Sequence, residues 1–185
     1  MTTTTKRYVN TLENSYEEKT RRKRTVNSGL FTSNTAEWGT PQALFDELNE
    51  EFHFDLDPCC THENAKCDLH YTKAEDGLQQ DWTGHRVYCN PPYGREIGKW
   101  VKKAHDSDCL TVMLLPARTD TQWFHKYIYG AGGVSIRFLP GRLCFNDGNG
   151  RAPFPSMVVI FEEGRANEEP VTLHDSYRSR NIHQR

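Results

Sequence analysis

Four consecutive residues, Asn90-Pro91-Pro92-Tyr93, combine groups that are suited to holding a planar amino group. The Asn90 side-chain oxygen and the Pro91 carbonyl both accept hydrogen bonds, so together they can take both N–H bonds of an –NH₂ group. Proline fixes its own φ and has no N–H to compete for the ligand, which holds the acceptors rigidly. Tyr93 can stack on the ring that carries the amine, a contact worth about 1–3 kcal/mol per base. The four residues therefore indicate a site for an amino-substituted heterocycle.

Such a site favours attack by the amino nitrogen on a strong electrophile. When both N–H bonds donate to oxygen, the nitrogen lone pair is less conjugated with its ring and is more available for attack. Asparagine does not act as a base at neutral pH, so the amine's proton must leave after the new bond forms. We infer that the electrophile is the methylsulfonium group of S-adenosylmethionine. The alternative is a plain strand-ending turn, because prolines interrupt sheet hydrogen bonding and asparagine favours turns.

Helix and strand patterns alternate around this motif and predict an α/β fold. Thr40 is expected to cap a helix whose first residue is Pro41, and a strand with period two is expected over residues 52–57. A second strand, residues 86–89, leads into Asn90. The predicted class is an open twisted sheet, mostly parallel, with an antiparallel C-terminal hairpin at its edge. The remaining predicted elements are a short helix near 62–69 within an irregular stretch, a helix with Ile97, Trp100, Val101 and Ala104 on one face, a strand buried on both faces over 110–115, a helix over 123–129, and β segments over 134–139, 143–145 and 157–161.

Polar residues follow three of these predicted strands. Asp57, Asn90 and the stretch 116–118 each come at a strand's carboxyl end. Ligands of open α/β sheets bind beyond the carboxyl ends of the strands, so these residues are expected to share one site.

Length and charge indicate one domain between two basic ends. The chain has 185 residues, enough for one domain with a sizeable core. Residues 1–36 and 171–185 are net basic, and residues 37–170 are net acidic. We therefore expect a mobile arm over 1–36, a catalytic domain over 37–170 and a basic tail over 171–185. An acidic body argues against a general nucleic-acid binder, whereas basic ends can contact a polyanion.

The sequence also predicts a soluble protein of the cytoplasm. No apolar run approaches the roughly 20 residues that span a bilayer, and the start MTTTTKRYVN lacks the apolar segment of a secretory signal. The six cysteines are scattered, which fits reduced thiols better than a disulfide framework. No membrane partner is expected, and the sequence does not determine an oligomeric state.

A longer pattern extends the motif. Trp38-Gly39-Thr40-Pro41, FDLDPCCTHENAKC, YTKAEDGLQQDW, NPPYGREIGKWVKKA, LLPARTDTQWF and LPGRLCFND…APFPSMVVIF occur in that order. Together they resemble the phage-type DNA adenine methyltransferase family (Dam-like) over about residues 37–163. The resemblance implies a Rossmann-like methyltransferase fold and S-adenosylmethionine as cofactor. It also implies methylation of the 6-amino group of an adenine flipped out of double-stranded DNA, with GATC as the target.

The resemblance implies roles for particular residues. Residues 90–93 would bind and activate the flipped adenine, and Asp76 would lie near the adenine of the cofactor. One departure is the turn after the first strand, where many methyltransferases have Gly-x-Gly and this chain has Asp57-Pro58-Cys59-Cys60. The residues expected to bind the cofactor are Trp38, Thr40, Pro41, Asp57, Pro58 and Asp76.

Several arginines are candidates for DNA contacts. Arg118 could instead pair with Asp120, and Arg142 and Arg151 could be solvated residues of a surface hairpin. The basic run over 19–24 would neutralise phosphates without reading sequence, or serve as a solubilising tail. The candidate DNA-binding residues are Arg21, Arg22, Lys23, Arg24, Arg95, Arg118, Arg142 and Arg151.

A cluster of thiols and imidazoles raises the question of a metal. Cys59, Cys60, His62, Cys67 and His70 lie close in sequence, but no Cys-x-x-Cys pair occurs. Small buried thiols are the favoured interpretation, and no metal is predicted. Two further alternatives stay open, since the four-residue motif is also found in enzymes that act on RNA or on protein glutamine. The second alternative is a non-catalytic module that binds zinc or nucleic acid.

Overall fold

One mixed six-stranded sheet carries the residues of interest. The computed structural model describes residues 38–145 and 151–165. Within these ranges the helices are α1 (Gln42–Phe52), α2 (Ile97–Asp106) and α3 (Gln122–Tyr127). The strands are β1 (Leu56–Cys60), β2 (Leu69–Thr72), β3 (Val87–Cys89), β4 (Thr111–Pro116), β5 (Val134–Phe138) and β6 (Ser156–Phe161).

The strand order is β2-β1-β3-β4-β6-β5. β2, β1, β3 and β4 run parallel, and β6 lies antiparallel between β4 and β5. The predicted α/β sheet, mostly parallel with an antiparallel C-terminal hairpin at its edge, is thereby confirmed, and it is consistent with a methyltransferase-like fold. The carboxyl ends of β1, β2 and β3 meet at one edge, where ligands of such sheets bind.

The core lies on both faces of the central strands. Every residue of β4 and β6 is buried, which accounts for their uninterrupted apolar sequences. The predicted apolar face of α2 is buried as well. No helix in the described ranges has the length and apolarity to cross a lipid bilayer.

A buried arginine joins α2 to the end of the sheet. Arg165 is 7% exposed, and its guanidinium lies over the ring of Phe161, 5.4 Å from the ring centroid. Its N–H groups donate to backbone carbonyls at and beyond the C-terminus of α2 and just after β6. Carbonyls at a helix C-terminus lack partners within the helix, and a cation there is favourable. The accepting carbonyls belong to Ala104, His105, Ser107, Cys109 and Glu162.

The junction between α1 and β1 differs from the sequence-based expectation. Pro41 occupies the N-cap position of α1 in place of Thr40. α1 continues to Phe52, and His53 then takes a left-handed conformation (φ 53°) that turns the chain. The prediction of a strand over residues 52–57 is therefore wrong for residues 52–55, and the strand begins at Leu56. Phe52 and Phe54 alternate because their rings pack together at this turn, with centroids 5.8 Å apart.

β1 begins at Leu56 and passes through Pro58, a residue expected to follow the strand. β1 pairs with β3 at Leu56, and its pairing with β2 is irregular between Asp57 and Cys60. Proline is tolerated at such irregularities because no ladder hydrogen bond needs its missing N–H.

Two further segments differ from the prediction. β2 lies in the stretch expected to be irregular or helical, and its residues are at most partly buried, so they carry no clear apolar period. The predicted β segment over 143–145 does not form. There the Leu143 carbonyl accepts from the Ala152 N–H (2.8 Å), and the Phe145 ring packs against Trp38.

Candidate active site

A cavity of about 1130 Å³ opens at the carboxyl ends of β1, β2 and β3. Its wall contains nine of the residues singled out from the sequence: Trp38, Thr40, Asp57, Pro58, Asp76, Asn90, Pro91, Pro92 and Arg95. Pro41 and Tyr93 are not part of the wall. The topology thus brings most of the expected cofactor and motif residues to one place.

The Asn90 amide has a defined orientation in this wall. Its Nδ2 donates to the Trp38 carbonyl (2.5 Å) and to Thr40 Oγ1 (2.9 Å). A backbone carbonyl can only accept, so the –NH₂ end of the amide must face Trp38. Both amide hydrogens are used in this way. The Asn90 Oδ1 is buried and has no hydrogen-bond partner among the described residues, which is costly unless a ligand supplies a donor.

The proline pair forms a turn between β3 and α2. Pro91 is buried, and the Gly94 N–H donates to the Pro92 carbonyl (2.9 Å). The hydrogen bond that closes the turn therefore uses the carbonyl of Pro92 and not that of Pro91.

Tyr93 points into the protein. It is 9% exposed, and its hydroxyl donates to the Leu114 carbonyl of β4 (3.1 Å). Its ring meets Phe145 and Phe154 edge to face, with centroids 6.0 and 5.5 Å away. Burial raises the pKa of the Tyr93 phenol well above its usual range. The ring belongs to an aromatic cluster directly behind the cavity wall.

Asp57 is a buried carboxylate at the base of the cavity. It is 3% exposed, and its two oxygens accept from the backbone N–H groups of Cys59 (3.2 Å) and Lys66 (3.1 Å). Burial raises the pKa of this carboxyl, and the two backbone hydrogen bonds oppose the rise. Asp57 thereby holds the loop after β1 against the strand.

The loop after β2 approaches β1 very closely. Asp76 has a left-handed conformation (φ 50°), and its carboxylate accepts from the Leu78 N–H (3.3 Å). A Cβ on Gly77 would lie 2.0 Å from the Pro58 carbonyl oxygen, so only glycine fits there. The Gly77 carbonyl accepts from the Trp82 indole N–H (3.0 Å). These contacts fix Asp76 at the cavity wall.

The thiol and imidazole cluster makes local hydrogen bonds. The Cys60 thiol contacts the carbonyls of Asp57 and Tyr71 (both 3.8 Å), and His62 Nδ1 lies 2.9 Å from His70 Nε2. Burial raises the pKa of Cys60 to about 12, and that of Cys67 likewise to about 12, so both thiols stay protonated. Within residues 38–145 and 151–165, no three His, Cys, Asp or Glu side chains are grouped so as to hold a metal ion.

The candidate DNA-binding residues are dispersed. Arg95 is exposed at the cavity rim, and Arg118, Arg142 and Arg151 are exposed on other loops. The ion pair between Arg118 and Asp120 that the sequence suggested does not form in the described part of the chain. Arg21, Arg22, Lys23 and Arg24 lie outside the described residues, as do the arm over 1–36 and the tail over 171–185.

Among the residues of the wall that sequence reasoning missed, three make contacts that support it. Lys66 donates through its ammonium to Gln42 Oε1 (2.6 Å), Gly77 permits the close approach to Pro58, and the Tyr88 hydroxyl bonds Thr40 Oγ1 (2.6 Å). The glycine of Glu75-Asp76-Gly77 was a usable signal, because a glycine in an irregular segment often marks a close backbone approach. Tyr88 gave no such signal, since its position in the pattern is that of an ordinary strand residue.

Sequence comparison with known proteins gives a family match over most of the chain. The family model described as DNA N-6-adenine-methyltransferase (Dam) matches residues 27–184. A protein of Escherichia phage T1 named DNA N-6-adenine-methyltransferase is 30% identical over 92 residues, which cover 47% of this chain. The matched region spans 38% of the length of that phage protein.

Proposed function

Because this chain belongs to the DNA N-6-adenine-methyltransferase (Dam) family, we propose that it transfers a methyl group from S-adenosylmethionine to the 6-amino group of adenine in double-stranded DNA. The target base would be flipped out of the duplex, because enzymes cannot reach the reacting atom of a base that is stacked in a double helix. The proposal includes GATC as the target sequence and, given the phage relative, the cytoplasm of a bacterial host as the place of action.

The observation that carries the proposal is the orientation of the Asn90 amide. Its two hydrogens are used by Trp38 and Thr40, and its buried oxygen lacks a partner among the described residues. Asn90 belongs to the cavity wall, and its unpaired oxygen is the acceptor that we propose for a ligand there. An exocyclic –NH₂ group is a donor that matches this acceptor, whereas a ring carbonyl would be repelled.

Residues 90–92 would each have a part in the proposed methyl transfer. Asn90 Oδ1 and the Pro91 carbonyl would each accept one N–H of the adenine amine and direct its lone pair away from the ring. S-adenosylmethionine supplies an electrophilic methyl group when it is bound. Asn90 takes no proton, so the amine loses its proton to solvent after transfer. Pro92 holds the turn through its bond with Gly94.

The cavity wall suits a nucleoside-sized cofactor that carries polar ends. Trp38, Thr40, Asp57, Pro58 and Asp76 are the residues that we propose to hold it. The carboxylate of Asp76 and the apolar parts of Trp38 and Pro58 provide both kinds of surface, as ligand sites usually do. Pro41 supports the site by starting α1, and its carbonyl accepts from Leu44 and Phe45.

DNA contacts are proposed for the exposed arginines. Arg95 lies at the cavity rim and is best placed to meet the phosphates beside a flipped nucleotide. Arg118, Arg142, Arg151 and the basic run 21–24 would add affinity that falls with salt. Tyr93 would stack on the base only through the small part of its ring that is exposed, and otherwise supports the turn from behind.

The test is methyl transfer to defined substrates. The purified chain is incubated with labelled S-adenosylmethionine and duplexes that contain GATC or a scrambled site, and methylated positions are mapped after digestion. RNA and a glutamine-containing protein are included as competing substrates. We expect N6-methyladenine in the GATC duplex and its loss in Asn90→Ala with cofactor binding retained. Transfer to RNA or to glutamine with none to DNA adenine would overturn the proposal.

A further inference from the structure

Three side chains form a chain of hydrogen bonds that ends at the Asn90 amide. The Tyr88 hydroxyl lies 2.6 Å from Thr40 Oγ1, and Thr40 Oγ1 accepts from Asn90 Nδ2 (2.9 Å). Tyr88 is 1% exposed and Thr40 is 6% exposed. The Tyr88 ring is fixed by edge-to-face packing on Phe45, with centroids 5.1 Å apart.

The positions of the Tyr88 and Thr40 hydroxyl hydrogens are assigned from the donors present and from burial. The buried Tyr88 hydroxyl has Thr40 Oγ1 as its partner in the described residues, and an unmade hydrogen bond from a buried donor is costly. Either hydroxyl could donate in this pair, and we assign Tyr88 as the donor to Thr40 Oγ1 because Tyr88 is the more deeply buried of the two; Thr40 Oγ1 also accepts from Asn90. Burial raises the pKa of Tyr88 well above its ordinary value, so the phenol keeps its hydrogen. Thr40 Oγ1 thus accepts twice, and its own hydrogen is turned away from Asn90.

We propose that Tyr88 is a positioning residue that acts through Thr40 to hold the –NH₂ end of the Asn90 amide, so that its oxygen is the end left to accept from a ligand. A Thr40 hydroxyl without its Tyr88 partner is free to rotate and to donate toward the amide. An amide held only by the Trp38 carbonyl has one unpaired N–H and a less defined orientation. The pair of hydroxyls therefore sets the preference of the site for an amine over a ring carbonyl. This inference rests on the proposed function.

The test compares variants that remove one hydroxyl each. Tyr88→Phe removes the phenol oxygen and keeps the packed ring, Thr40→Val removes the acceptor, and Thr40→Ser restores it. Thr111→Val is the matched control, because Thr111 is fully buried in β4 and its hydroxyl contacts the Cys109 thiol, away from the cavity. The readouts are kcat on a GATC duplex and the relative affinity for duplexes with adenine or hypoxanthine at the target.

We expect kcat to fall about three- to tenfold in Tyr88→Phe and further in Thr40→Val, as loss of one or two hydrogen bonds implies. The preference for adenine over hypoxanthine should fall in the same order. Thr40→Ser and Thr111→Val should keep the preference of the parent chain. A change in folding alone would not alter the ratio of the two affinities.

Parent-like kcat and base preference in Tyr88→Phe would overturn the inference and leave the proposed function intact. If Thr40→Val does not fold, Tyr88→Phe still decides the question. If the parent chain neither methylates DNA adenine nor prefers adenine to hypoxanthine, the proposed function fails, and the inference fails with it.

Discussion

Gly77→Ala is expected to damage both folding and cofactor binding. The added Cβ would lie 2.0 Å from the Pro58 carbonyl oxygen and 3.0 Å from its carbon, and both are backbone atoms that cannot rotate away. Either the end of β1 or the loop after β2 must move, and overpacking of this kind costs about 1–3 kcal/mol. Pro58 and Asp76 belong to the cavity wall and are proposed to hold S-adenosylmethionine, so the same movement should weaken its binding about tenfold or more, equal to about 1.4 kcal/mol. Denaturant unfolding and calorimetric titration measure the two effects.

Gly98→Ala is the matched control. A Cβ at Gly98 would meet Trp123 Cβ at 3.5 Å, an ordinary contact, and the residue lies in α2. Alanine in a helix is more favourable than glycine by about 0.5–1 kcal/mol, so this variant should unfold at equal or higher denaturant. Parent-like stability and cofactor affinity in Gly77→Ala would refute the reasoning from close approach.

Three further predictions concern buried groups. Tyr93→Ala should lower the free energy of unfolding by about 3–5 kcal/mol. Tyr93→Phe loses only the hydrogen bond to the Leu114 carbonyl and should lower it by about 0.5–1.5 kcal/mol. Equal losses in denaturant unfolding would contradict the packing described. Arg165→Lys should lower the free energy of unfolding by about 2–4 kcal/mol, because an ammonium cannot reach all the carbonyls to which the guanidinium donates. The control Arg151→Lys, at an exposed position, should change it little in the same assay. Burial raises the Asp57 pKa in the folded state, so between the ordinary and the raised pKa the native protein binds more protons than the unfolded chain, and its stability falls as pH rises through that window. The difference in unfolding free energy between the parent and Asp57→Asn, measured against pH, should show this fall. A difference that does not change with pH would count against it.

The parts of the fold that the sequence predicts are those in which burial alone decides the structure. β4 and β6 are buried on both faces, so their apolar runs identify them, and α2 shows a clear apolar face. β2 could not be identified this way, because it is a partly exposed edge strand whose pairing with β1 determines it. The Phe52 and Phe54 alternation misled for a related reason, since two rings that pack at a turn produce the same pattern as a strand.

In the candidate site, too, some features can be predicted from local sequence patterns and others depend on long-range contacts. Asp57 and Asn90 share one cavity wall, as the sequence predicts from strands that lead to both residues, although β1 continues past Asp57 to Cys60. The inward packing of Tyr93 is not predicted in this way, because it depends on Phe145 and Phe154, more than 50 residues away in sequence. An aromatic residue next to a binding motif has the same sequence appearance whether it faces the ligand or the core.

The acceptor character of Asn90 shows how far the four-residue motif depends on the rest of the chain. An asparagine side chain offers a donor at one end and an acceptor at the other, and nothing within residues 90–93 selects between them. The selection comes from Trp38 and Thr40, which are 52 and 50 positions earlier and take both amide hydrogens. Displacing residues 38–40 should therefore impair the proposed recognition of an amine even when residues 90–93 are unchanged. The motif supplies the amide, and Trp38 and Thr40 determine which end of it is left without a partner.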